Sequence, residues 1–88
     1  MKDPAKFMSE AKAGVVTVEF RKIDTDELRV MPCTLNSESA GREITIKDFD
    51  PNSHHFVVWC LDKDAWRSFR VSTVERWYTG YPEENKDG

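Results

Sequence analysis

A chain of 88 residues, 39% hydrophobic, 33% charged and with a formal charge of −3, makes one small domain whose core must draw on its aromatics, since Phe, Tyr and Trp each bury about 150–250 Å². The acidic balance excludes a protein that coats nucleic acid without specificity, a task that needs surplus Lys and Arg to displace counterions from phosphate. No apolar run reaches the ~18 residues of a membrane span, and Met1-Lys2-Asp3-Pro4 opens no apolar leader, so a soluble, cytoplasmic protein is expected.

The first element is a helix over residues 1–13. Asp3 suits the N-cap, Pro4 the first helical position and Gly14 the far end. Phe7, Met8 and Ala11 fall on one face, and a helix this short must rest that face on the body of the protein or on a partner. Covering one open end of a barrel is the simpler role.

From Val15 to Ile23 the period changes to two, with Val16, Val18 and Phe20 on one side of a strand. Asp24-Thr25-Asp26-Glu27 is rich in turn formers, and Leu28 to Leu35 resumes the extended pattern, which predicts a hairpin. Met31, Cys33 and Leu35 share a face. Pro32 lacks a ladder donor and so predicts an edge strand or a bulge. Residues 37–54 read as a long polar loop holding a short strand at Ile44-Thr45-Ile46; mobility is its simpler explanation and specificity the other.

Phe56 to Leu61 and Ala65 to Val71 form the second predicted hairpin, turning through Asp62-Lys63-Asp64. Ser72-Thr73-Val74 fits a one-turn link, and Glu75 to Tyr81 a last short strand ended by Pro82. Residues 81–88 read as an acidic, disordered tail, which leaves 14–80 as the folded body. Five short strands with a one-turn link before the last make a mainly β plan: a five-stranded SH3/Sm-like small barrel with a short N-terminal helix.

Three stretches carry a resemblance: Val15-Thr17-Val18-Phe20, the run Arg29-Val30-Met31-Pro32-Cys33-Thr34-Leu35-Asn36, and above all Trp66-Arg67-Ser68-Phe69-Arg70-Val71. Over about residues 14–78 the chain resembles a family of small tailed-phage proteins related to the WYL domain, with an Sm-like/SH3-type barrel. It departs from that family's pattern at Pro32, where a basic residue is usual, and in the loop from Ser37 to Ser53. The resemblance implies a binding role, because WYL-type domains sense nucleotides or nucleic acids. It also implies a phage accessory protein, cytoplasmic in the infected host cell, that modulates a host regulator, toxin or defence factor.

Read from the residues alone, the candidate binding set is Lys63, Trp66, Arg67, Arg70, Arg76 and Trp77. Residues 63–76 carry Lys63, Arg67, Arg70 and Arg76 against Asp64 and Glu75, a local positive excess in an acidic chain. Alternation puts Trp66, Ser68 and Arg70 on one face and Phe69 and Val71 in the core, with Arg67 beside them unless a bulge turns it outward. Arginine beside an exposed aromatic suits a nucleotide, whose phosphate it grips while the ring stacks on the base. The same pair suits a protein interface, where Trp, Tyr and Arg dominate. A purely structural role also fits, with Trp66 and Trp77 sealing the barrel and the arginines paired to Asp62, Asp64, Glu19 or Glu75.

A host protein is therefore the first expected partner, RNA or single-stranded DNA the alternative, and self-association through an open strand edge a third course. Catalysis, a cofactor and a metal are not expected. His54 and His55 sit in a polar loop, Cys33 and Cys60 lie in apolar strands where reduced core thiols are usual, and Asp24, Asp26, Asp48 and Asp50 lack calcium-loop spacing.

Overall fold

The computed structural model describes residues 1–46, 50 and 52–82. Helix α1 (Pro4–Ala13) starts at Asp3, whose left-handed backbone (φ 53°) aims its carboxylate at the Lys6 N–H, and ends where the Gly14 N–H donates to the Glu10 carbonyl. Phe7, Met8 and Ala11 are its buried face. The strands are β1 (Val15–Arg21), β2 (Leu28–Thr34), β3 (His55–Cys60), β4 (Ala65–Arg70) and β5 (Val74–Thr79), with a 3₁₀ turn at Val71–Thr73 before the last.

They form one antiparallel sheet in the order β4-β3-β2-β1-β5. It curls as a small Sm-like/SH3 barrel does but does not close, so β4 and β5 are its edges. Val16, Val18, Met31, Cys33, Leu35, Phe56, Val58, Cys60 and Phe69 fill the concave side, with Val71 packed against them. Phe7 is the keystone: its ring lies 5.9 Å from Phe56, 6.0 Å from Phe69 and 5.3 Å from Trp77. A helix that could not stand alone thereby ties three strands together. Thr34, buried in the sheet, donates its hydroxyl to the Gly14 carbonyl at 2.6 Å, and the Leu35 N–H donates to the Ala11 carbonyl.

Two expectations need correction. Pro32 lies in an interior strand, between β1 and β3, not at an edge. Its missing N–H falls on the β3 side, where its carbonyl accepts from Leu61 and no return bond is possible. There the β2–β3 ladder stops: only Cys33↔Cys60 and Thr34↔Trp59 stand in register.

Ile44-Thr45-Ile46 forms no strand. A one-turn helix, α2 (Ser37–Ala40), precedes it, capped by Asn36 and closed by Gly41 at φ 75°. The Ser37 hydroxyl engages both the N–H and the carbonyl of Ile44, so that backbone is committed to α2 rather than to a ladder. Asp48 and residues 83–88 of the expected tail lie outside the described residues. Among the described residues no helix is long and apolar enough to cross a membrane.

Candidate functional site

Because β3 ends at Cys60 and turns into β4 while β2 extends on to Leu28, a gap opens between β4 and the β1–β2 turn. It is a groove of about 800 Å³ whose apolar lining comes from Phe20, Ile23, Met31 and Phe69. Around it stand Arg21, Lys22, Arg29, Lys63, Arg67 and Arg70 with His54 and His55, while Asp24 is the one carboxylate on its described wall. An acidic chain has gathered nearly half its cations on one side.

These cations differ in freedom. Arg29 is held by Asp62, at 3.0 and 3.2 Å, and donates to the Val30 carbonyl. That bond holds the Asp62 carboxyl below its ordinary value, against the opposing pull of desolvation, and raises Arg29. Arg21 is bound by Glu75 at 2.8 Å and by the Asp26 carbonyl. Among the described residues Lys22, Lys63, Arg67 and Arg70 make no salt bridge. Arg67 keeps strict register opposite Val58, on the inner face, and no bulge is needed to expose it. The sheet simply does not close over it.

The groove follows an unpaired strand edge. The Val71 N–H donates to the His54 carbonyl, so the hydrogen-bonded β3–β4 pairs are Phe56–Phe69, Val58–Arg67 and Cys60–Ala65. The backbones of Trp66, Ser68 and Arg70 consequently face outward. Arg67 and Thr73 cover the carbonyls of Trp66 and Arg70, which leaves Ser68 to present both its N–H and its carbonyl at the edge.

Of the six residues singled out from sequence, the fold brings together Lys63, Arg67 and Arg70. Trp66 stands on the opposite, outer face, edge-on to Trp59 at 5.5 Å and 38% exposed. The Arg42 guanidinium lies 5.3 Å from the Trp59 ring centre on that side. Arg76 pairs with Glu19 at 3.0 Å and lies over Tyr78. Trp77 packs on Phe7 and donates its indole N–H to the Lys2 carbonyl at 2.7 Å. Arg21, Lys22, Arg29, His54 and His55 were missed; the hairpin register, which sets Arg29 opposite Phe20 and Arg70 opposite His55, was the signal that could have found them.

Both thiols are held toward their protonated form. Burial pushes the Cys33 thiol far up, and burial followed by a hydrogen bond to Asp62 pushes Cys60 up. No group of three or more His, Cys, Asp or Glu among the described residues could hold a metal ion.

An open small β-barrel with a capping helix and a lined groove is the build of a binding module. The family model described as WYL_2, Sm-like SH3 beta-barrel fold, matches residues 5–74, and the chain belongs to that family. No curated protein and no solved structure matches it.

Proposed function

We propose that this chain is a noncatalytic binding module that takes an acidic, extended segment of a partner protein along the edge of β4, and that it serves a phage as an accessory protein acting on a host protein. One observation carries the reading: among the described residues an unpaired strand edge runs beside a groove whose charges without a salt bridge are Lys22, Lys63, Arg67 and Arg70. A peptide can answer both features, adding backbone bonds at Ser68 and carboxylates at the cations. The phage and host parts rest on the resemblance of the Trp66–Val71 run.

The alternative is RNA or single-stranded DNA. It fits the charge, but strand-binding grooves also offer exposed aromatics for base stacking, worth about 1–3 kcal/mol per base. Here Phe69 is 3% exposed and Trp66 faces the other way, which leaves stacking to His54, His55 and the arginine planes.

The test is a tagged pull-down from host lysate with and without nuclease, run beside the Arg67→Ala/Arg70→Ala variant. A protein captured by the wild type, retained after nuclease and lost with the variant is the expected result. Capture that disappears on nuclease treatment would instead establish nucleic acid as the ligand. If the wild type and the variant capture the same proteins equally, the groove is not the site.

A further inference from the structure

We infer that Cys33 and Cys60 form a redox couple: oxidation joins them in an intramolecular disulfide that staples β2 to β3. The two thiols are free, both side chains are buried, and the residues are register partners across the seam. Their pairing type follows from the backbone. The Leu61 N–H to Pro32 carbonyl bond at 2.9 Å makes Pro32–Leu61 a hydrogen-bonded position, so the neighbouring Cys33–Cys60 pair is of the non-hydrogen-bonded kind.

In such pairs the Cα atoms stand about 4.5 Å apart with their side chains on one face, inside the usual disulfide range of about 4.4–6.8 Å. Partners in the hydrogen-bonded arrangement would sit about 5.5 Å apart with their side chains more widely spaced.

The chemistry balances with hydrogen peroxide as the oxidant. The Cys60 sulfur, as thiolate, attacks one peroxide oxygen, giving a sulfenic acid and hydroxide, which takes up the proton that the thiol released to become the first water. The Cys33 sulfur then attacks the Cys60 sulfur and expels hydroxide, which takes the remaining proton to become the second water. Two thiols and one peroxide thus yield one disulfide and two waters. Cys60 goes first because it ends β3 beside the turn at 61–64 and has the Arg29 guanidinium 3.6 Å from its sulfur, a cation that favours the thiolate. Burial raises both thiols, so oxidation is slow in the closed fold and proceeds as the turn opens.

The staple falls where the sheet is least laced, and Cys60 also donates its thiol proton to Asp62, the carboxylate that holds Arg29 at the groove. If the groove is the binding site proposed above, oxidation fixes its width; the disulfide itself does not depend on that reading.

The experiment is to expose the folded, reduced protein to hydrogen peroxide over hours, block residual thiols with an alkylating agent, and map peptides without reduction. The expected product is a monomer lighter by two hydrogens, with the Cys33 and Cys60 peptides linked, reverting with dithiothreitol. Its melting temperature rises by about 10 °C, as for a typical native-like disulfide in a small domain. Cys33→Ser and Cys60→Ser each abolish linkage and rise; should either misfold, the wild-type map decides alone. Unlinked sulfinic products, intermolecular dimers or thiols that remain fully alkylatable would overturn the inference. Loss of partner binding without linkage would bear on the groove and still refute the disulfide.

Discussion

The sheet is laced unevenly. β1 is joined to β2 over seven register pairs and to β5 over five, and β3 to β4 over six, but β2 meets β3 through two. The molecule is therefore a three-stranded unit and a hairpin held by a thin seam, by α1 and by the Phe7–Phe56–Phe69 cluster. Side-chain packing does between the units what backbone hydrogen bonds do within them. At the groove only side chains join them: Phe20 of one unit stacks on Phe69 of the other at 5.5 Å, and both line it.

The comparison breaks most readily at Phe7. Truncation to alanine removes the contacts that bridge the units and should cost about 3–5 kcal/mol, a large part of the stability of a domain this small. Urea unfolding followed by tryptophan fluorescence would read it, and a loss below about 1 kcal/mol would mean that the seam carries more than its two pairs imply.

Next in size is a charge effect confined to the groove. Replacing Arg67 and Arg70 with alanine should weaken partner binding at least tenfold, about 1.4 kcal/mol, while leaving the melting temperature nearly unchanged, since neither makes a salt bridge among the described residues. Trp66→Ala, on the outer face, should do the reverse. Titrations of the captured partner against both variants would separate the two faces.

A smaller effect belongs to Asp62. Its carboxyl lies below the ordinary 3.8 because Arg29 binds it, so its stabilisation is present above that value and is lost as pH falls through the lower, folded-state value. Asp62→Asn should therefore be less stable than wild type by about 0.5 kcal/mol near neutrality, after allowing for solvent screening. Below the folded-state value the gap should close. Paired melts from pH 7 down to about 2.5 would show it; a gap that widened in acid would contradict the Arg29–Asp62 link.

Pro32→Thr should change stability least, within about 0.5 kcal/mol, because a new ladder bond of about 1 kcal/mol is offset by the freedom that the unfolded chain regains. Hydrogen exchange is the sharper probe: the new amide at position 32 should exchange slowly if it bonds to Leu61. Fast exchange would show that proline alone does not end the ladder.

Much of this architecture was legible because alternation is a local signal. Val16, Val18 and Phe20, or Phe56, Val58 and Cys60, declare their inner face without reference to any neighbour. Pro32 was legible as a ladder break, but whether it lay inside or at an edge depended on which strand came to its other side. Ile44 was misread because a hydroxyl seven residues earlier competed for its backbone.

The site was half legible for a related reason. Parity correctly set Arg67 on the inner face, yet only the open curvature of the sheet makes that face reach solvent. Parity also joined Arg70 to Trp66, whereas the long arginine side chain at the strand's end lines the groove and the indole, locked on Trp59, does not. Arg21, Lys22 and Arg29 belong to the other hairpin, and their approach is a tertiary fact.

Pro32 also bears on motion. A hairpin fastened by two pairs can rock about them as a body, with the Cys33–Cys60 step as its axis, at little expense to its own ladder. The distance between β4 and the β1–β2 turn is then set by side chains, the Phe20–Phe69 stack and the Arg29–Asp62 pair, and not by a ladder. A partner that needs a wider groove would have to part those contacts, and its affinity would fall by what they contribute.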